Sequence, residues 1–350
     1  MSDLKGWQVH GPVRALRREH AEWDSTAGAW KAPRGITIVT FRPDGQIIAS
    51  QFHNPDGSIA WWSCEYDSAG HMIETQSWIN DESPRRRMRY AYDAGGRLVE
   101  TVEIESDGTR RQAESYRYDA NGRKTKVTTL AARGALAGVS VMESVEGSEQ
   151  GYSAPGAVTR TAVFDEREQP VDVSFHDASG ALVLHVTLGR DGEGRLISEE
   201  VHYGGELPFG PMDDKFAKAS PEDRAALVAM LSAVFTDKMS SSTTFAYDAK
   251  GRVLEQVRRM GRLSEERTTY RYDDHDNKIE EIMESRGRSA QGDEKGEVRF
   301  EEEKPRRQEY RFDYDYDPHG NWIARVASYR IDPAADFQRS NVERRTIEYY

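Results

Sequence analysis

The sequence is short of cysteine, of long apolar runs and of net positive charge, and each shortage excludes something. Cys64 is the one cysteine in 350 residues, so neither an intrachain disulfide nor a thiolate-rich metal site can form. No apolar run approaches the roughly 18 residues of a helical membrane span, so no membrane span is expected. The opening Met1-Ser2-Asp3-Leu4-Lys5-Gly6-Trp7 has no apolar stretch of the secretory kind. As it stands the sequence is read as cytoplasmic, or as cell-envelope or secreted if a signal peptide has been removed. A formal charge of −12 opposes nucleic-acid binding, which needs a positive surface to displace counterions. The local basic run Arg85-Arg86-Arg87, with Arg89, follows Asp81 and Glu82 and reads as a solvated hairpin loop. Hydrophobic residues are 37% of the chain, few for a globular protein, yet 10% aromatics is too many for a disordered one.

Motifs with a chemical mechanism are missing as well. There is no Gly-x-Ser-x-Gly elbow, no phosphate-binding Gly-x-x-x-x-Gly-Lys-Ser/Thr, no His-Glu-x-x-His and no dinucleotide fingerprint. The nine histidines are scattered; only His176, His185 and His202 lie near one another, and zinc needs three or four convergent ligands. His53, His71, His275 and His319 fall in turns and are read as solvated. No catalytic residue, cofactor or metal is therefore expected.

What the sequence does contain is a repeat. Its clearest unit is aromatic-x-Tyr-Asp-x-x-Gly-Arg/Asn followed by an apolar residue. It occurs at Tyr90–Leu98, Tyr116–Arg123, Phe245–Val253 and Tyr314–Trp322. A drifted copy, Tyr270–Asn277, has Asp276 in place of the glycine. Looser copies sit at Phe41–Gly45, His53–Gly57, Tyr66–Gly70, His176–Gly180 and Arg190–Arg195, and Phe164–Glu168 is degenerate. Tyr66, Tyr92 and Tyr118 recur every 26 residues, room for two strands and two turns. Asp-x-x-Gly suits a type I turn with a G1 bulge: the Asp carboxylate accepts a backbone N–H and Gly supplies positive φ. Gly96, Gly122 and Gly251 are the expected positive-φ positions, and Asp276 can replace Gly because Asp tolerates the left-handed region. The repeated turn acids Asp93, Asp119, Asp248, Asp273 and Asp317 invite a calcium reading. Each turn offers one or two oxygens where calcium needs six or more, so capping is their expected role. The i, i+2 aromatics share one strand face and line up as a ladder.

These motifs resemble the Rhs/YD-repeat family, over roughly residues 36 to 329. The resemblance implies curling β-sheets of the kind that the repeats build in bacterial Rhs toxins and teneurins; it implies no activity. The chain is also similar to uncharacterised bacterial YD-repeat proteins without a toxin domain, which end on a Gly-Asn-Trp hairpin and a Tyr-Tyr pair, here Gly320-Asn321-Trp322 and Tyr349-Tyr350. Rhs toxins cut themselves at an Asp-Pro-bearing motif. Asp317-Pro318 and Asp332-Pro333 are too far apart for it, so self-cleavage is not expected.

The expected fold is all-β: one YD-repeat domain over 1–350, an array of antiparallel hairpins in a curled, strongly twisted sheet. Whether that sheet closes into a shell, a half-barrel or layers is open from the residues alone. Three segments interrupt the array. Residues 130–157 are rich in small residues and read as a loop insertion. Residues 199–246 hold a helical insertion, with a helix over 220–238: Ser220 is an N-cap, Pro221 fits N1, and Ala225–Phe235 is apolar almost all round. Residues 284–309 are charged, including Glu301-Glu302-Glu303-Lys304, and read as a long hairpin or disordered loop.

The function read from this is a non-enzymatic scaffold or binding protein presenting a β-sheet surface to an unknown protein or glycan partner. Six of the seven tryptophans precede residue 79, which puts Trp61, Trp62 and Trp78, with Phe209 and Trp322, forward as the candidate partner surface. Trp61, Trp62 and Trp78 serve either as sugar-stacking platforms or as buried ladder residues, and their exposure discriminates. The alternative is a hydrolase or other enzyme acting on a polysaccharide or cell-envelope substrate, through an unrecognised site inside the curl.

Overall fold

The computed structural model describes the chain except residues 1–3, 5, 81–85, 105–106, 120–122, 130–141, 145–150, 154–158, 205–239, 262 and 293–297. The described residues form antiparallel strands and no α-helix, so among them no helix is long and apolar enough to cross a membrane, which says nothing of strands. The helix expected over 220–238 lies outside the described residues. In chain order the first strands are β1 (Val13–Asp24), β2 (Ala29–Trp30), β3 (Ile36–Phe41), β4 (Ile47–His53), β5 (Ile59–Tyr66), β6 (Met72–Ile79), β7 (Arg86–Tyr92) and β8 (Leu98–Ile104). Next come β9 (Arg110–Tyr118), β10 (Lys124–Thr129), β11 (Met142–Ser144), β12 (Gly151–Ser153), β13 (Thr159–Phe164), β14 (Pro170–His176), β15 (Leu182–Arg190) and β16 (Leu196–Tyr203). The last are β17 (Ser240–Tyr247), β18 (Val253–Met260), β19 (Ser264–Tyr272), β20 (Lys278–Gly292), β21 (Val298–Glu302), β22 (Arg306–Tyr316), β23 (Trp322–Arg330) and β24 (Gln338–Tyr349).

These strands fall into two compact units. The first comprises Met1–Ala113, Arg271–Glu281 and Gln308–Tyr350. In it β3 to β8 pair in sequence as hairpins, and so do β22, β23 and β24. Strand β1 joins the two series, with Ala15 opposite Thr40 of β3 on one side and opposite Glu348 of β24 on the other. The sequence left open whether the curled sheet closes; in this unit β1 is paired on both edges, so the two strand series are joined. Unpaired edges leave rows of N–H and C=O groups open, and β1 and β24, each of 12 residues, match in length and cover one another. The core of this unit is Val9, Val13, Leu16, Val39 and Phe41, with Leu4 and Trp7 packed on it. The N-terminal segment is held by the Gly-Asn-Trp hairpin: His10 N–H donates to Asn321 Oδ1 at 2.7 Å, and Asn321 Nδ2 donates back to the His10 carbonyl at 3.0 Å.

The second unit comprises Glu114–Tyr270 and Ile282–Arg307. Alternation fixes its sheet: in β15 the buried residues are Leu184, Val186 and Leu188, a period of two that puts them on one face. Ala162, Val173, Val186 and Val201 lie directly opposite one another across β13, β14, β15 and β16, and Phe164, Phe175 and Leu196 complete this core. Of the segment 130–157, β11 and β12 are described as a two-stranded pair. In the charged segment, β20 pairs with β21 from Arg288–Glu302 to Gly292–Val298.

The turns repeat one design. In the Asp93 turn the Gly96 N–H donates to the Asp93 carbonyl at 2.9 Å, and the Asp93 N–H donates to the Arg97 carbonyl at 2.8 Å. Asp93 Oδ1 accepts two backbone N–H groups, from Gly95 and Arg97, both at 2.9 Å. Asp93 Oδ2 accepts Arg97 Nε at 2.7 Å. Asp248 does the same with Lys250 and Arg252. The bulge glycines Gly96 and Gly251 have φ of 78° and 81°; Gly122 lies outside the described residues. Asp276 takes the glycine position at φ 64°, and in the degenerate copy Glu168 does so at φ 58°.

In several repeats the tyrosine staples its hairpin to an earlier one. Tyr66 Oη donates to the Ile47 carbonyl at 2.9 Å, Tyr92 to Met72 at 2.8 Å and Tyr247 to Leu196 at 2.6 Å. Each acceptor sits at the register shift that a bulge creates, where the ladder is disrupted and a carbonyl needs a donor. Where the turn carries Asn in place of Arg, the tyrosine goes to the turn carboxylate itself. Tyr316 donates to Asp273 Oδ2 and accepts from Asn277 Nδ2; Tyr349 does the same with Asp317 and Asn321. Burial and these carboxylates push both phenols up, Tyr349 to about 12. The turn histidines are not simply solvated, as expected, because three of them lie on these rings: His71 on Tyr92, His275 on Tyr316 and His319 on Tyr349, with centroids 4.8, 4.3 and 4.2 Å apart.

Two predictions follow from this turn. Gly251→Val should destabilise by about 1–3 kcal/mol, because a β-branched residue is strained at positive φ. Glu168→Gly, which removes a non-glycine residue from that region, should be neutral or stabilising by up to about 1 kcal/mol. Denaturant melts compare the two, and equal losses would refute the assignment. The second concerns acid. The Arg97 side chain and backbone N–H hold Asp93 below the ordinary carboxylate range, and backbone N–H donation from Arg252 does so for Asp248. Groups depressed in the folded state stabilise above the unfolded pKa of about 3.9 and lose that contribution as pH falls through their folded values. Thermal midpoints should therefore stay level between about pH 5 and 7 and fall below about pH 4; a midpoint that rises on acidification would contradict the capping role.

Candidate functional site

The surface residues named from sequence separate in the structure. Trp61 of β5 stands directly opposite Trp78 of β6, and Gln51 of β4 stands opposite Trp61. The two indoles are parallel within 2°, with centroids 5.8 Å apart, an offset stack. Trp62 is paired with Ser50 and Ser77 and, one residue along the strand, faces the other way. All three are half-buried: neither core ladder residues nor fully exposed platforms. Around the Trp61–Trp78 pair this face is polar. Gln76, two residues before Trp78, donates from Nε2 to Glu74 Oε1 at 3.0 Å, and the row continues through Gln51 to Ile38 and Arg17.

Trp322 is not a surface residue. It is 3% exposed, its indole N–H points to Gln8 Oε1 at 3.3 Å, and the Arg345 guanidinium lies 3.2 Å from its ring centroid. The reason is its place at the bulge opposite Tyr316, beneath the N-terminal segment that Asn321 pins. Phe209 lies outside the described residues.

Residues that the sequence did not bring forward line a cleft of about 720 Å3 in the same unit, among them His20, Glu22, Trp23, Phe337 and Arg339. Its aromatic faces are already engaged. Arg339 lies 5.0 Å from the Trp23 ring centroid, and Trp30 meets Trp23 edge-on at 4.9 Å. Phe337 has Arg311 at 4.1 Å and Arg330 at 4.6 Å. Glu22 pairs with Arg34 at 2.8 Å and Lys31 at 3.3 Å. The cleft is thus walled by cation–π contacts and ion pairs that close the end of β1 against the β23–β24 connection. The contact between Trp23 and Arg339, more than 300 residues apart in the chain, could not have been read from local spacing.

In the second unit His185 stands opposite His202 with ring centroids 6.5 Å apart, and His185 Nε2 lies 2.6 Å from Asp172 Oδ2. Among the described residues no group of three or more His, Cys, Asp or Glu side chains converges as a metal site would require.

The turn geometry can be set beside known proteins. A family model described as Teneurin YD-shell matches residues 46–138. No curated protein matches the chain. Among solved structures, a porin-like protein from Bacteroides uniformis ATCC 8492 aligns over 97% of this chain and 99% of its own, at 10% identity and a TM-score of 0.33, a likeness too slight to establish a common fold. The matched segment contains the Asp67 and Asp93 turns and their tyrosine staples, and the same turn recurs in both units, which supports assignment to the YD-repeat, Rhs-like family.

Proposed function

We propose that this is a non-enzymatic binding protein that presents one face of its β-sheet to a glycan, with Trp61 and Trp78 as the contact. The observation that carries the reading is the parallel indole pair, half-buried and set in a polar face. An indole offers a wide apolar face at little conformational cost, and parallel indoles suit the flat C–H faces of successive sugar rings. Gln51, on the same face, supplies an amide that can both donate and accept to sugar hydroxyls. A binding role also suits the repeat, whose recurrent carboxylates are engaged in capping their own turns.

The test is calorimetric titration with a panel of neutral and acidic oligosaccharides. Trp61→Ala and Trp78→Ala should each weaken binding about tenfold, the loss of one aromatic anchor. Trp62→Ala, on the opposite face, should leave it unchanged. Binding that survives both Trp61→Ala and Trp78→Ala, or a panel in which no glycan binds the unaltered protein, overturns the reading.

A further inference from the structure

On the face opposite Trp61, three guanidinium groups gather on one carboxylate. Arg18 of β1 stands opposite Arg345 of β24, and Arg325 of β23 stands opposite Glu343. Arg325 Nη2 pairs with Glu343 Oε2 at 2.9 Å, while Arg18 Nε and Arg345 Nε stand 3.8 and 3.9 Å from Glu343 Oε1, beyond hydrogen-bond reach. Among the described residues, the ion pairs of all three arginines converge on Glu343, so three positive charges share one negative. One of the three is buried: the Arg345 side chain is 4% exposed. Arg345 donates to the Gln8 carbonyl at 3.3 Å and stacks on Trp322. The Nε atoms of Arg325 and Arg345 are both buried without a hydrogen-bond partner.

Buried cations normally have a counter-charge, and buried N–H donors an acceptor. Here a chain with a net charge of −12 keeps an excess of two positive charges at one spot. Burial pulls the Arg345 guanidinium down to about 9; Glu343 opposes that, and Arg18 and Arg325 add to it. Guanidinium N–H edges match the oxygens of a phosphate group. Arg18 and Arg325 stay partly open to solvent, their side chains 40% and 31% exposed. We infer that Arg18, Arg325 and Arg345, set around Glu343, form a binding site for a phosphate dianion. The ligand is either free phosphate or the phosphate group of a monoester.

Thermal unfolding and calorimetry at constant ionic strength test this, with inorganic phosphate, a sugar phosphate monoester and chloride as probes. Phosphate should raise the midpoint saturably where chloride does not. Arg18→Gln, at a partly exposed position, should keep the fold and weaken phosphate binding about tenfold, and Arg325→Gln should abolish the saturable shift. Tighter binding of the monoester would assign the site to an ester ligand, and tighter binding of inorganic phosphate to the free ion; either supports the site. Equal curves in phosphate and chloride for the unaltered protein overturn it, as does an equal phosphate affinity in the unaltered and Arg18→Gln proteins.

Discussion

The structure depends on one carboxylate used several times in a small space. The turn Asp accepts two backbone N–H groups on Oδ1 and an Arg side chain, or a tyrosine hydroxyl, on Oδ2. That arrangement fixes the turn, the turn fixes the bulge, and the bulge fixes which face each strand turns inward. The same bulge exposes a carbonyl that the tyrosine of another hairpin satisfies. Tyr and Asp are thus coupled physically: one closes a hairpin and the other links it to its neighbour. The choice between Arg and Asn four residues after the Asp decides what fills Oδ2, which accounts for the two versions of the motif.

The termini of the first unit use the same chemistry at longer range. Tyr349 reaches the Asp317 turn, and Tyr350 donates to the Phe41 carbonyl at 2.6 Å while its N–H donates to the Pro12 carbonyl at 2.9 Å. Asn321 binds both the His10 backbone and Tyr349. The last hairpin, the last residues and the first segment are therefore one hydrogen-bonded assembly. It covers Trp322 and Arg345 and leaves β1 paired on both edges.

Function in such a fold falls where repetition gives out. Among the described residues, turn aspartates such as Asp93 and Asp248 cap their own turns, and Tyr66, Tyr92, Tyr247, Tyr316 and Tyr349 reach other hairpins. The groups that depart from the pattern are the parallel indoles of β5 and β6 and the arginines of β1, β23 and β24. They occupy opposite faces of the first unit, one polar and partly open, the other charged and partly buried. The two proposed ligands, a glycan and a phosphate group, follow from those environments and stand independently.

The sequence alone determined the local part of this protein. Asp-x-x-Gly with flanking aromatics dictates a bulged hairpin wherever it occurs, because Asp capping and the positive φ of Gly act within five residues. Even the substitutions by Asp276 and the degenerate Phe164–Glu168 copy could be read this way. Only the tertiary structure decided the rest. Trp61 and Trp62 are adjacent in sequence, yet the pleat sends them to opposite faces, and the strand register gives Trp78 to Trp61 and not to Trp62. Trp322 looks like any exposed aromatic of the motif until the N-terminal segment, more than 300 residues away, covers it. Arg18 and Arg325 carry no spacing that relates them to the Glu343–Arg345 pair; pairing of the first and last strands brings Arg18 to them, and the contact with Gln8 and Trp322 buries Arg345.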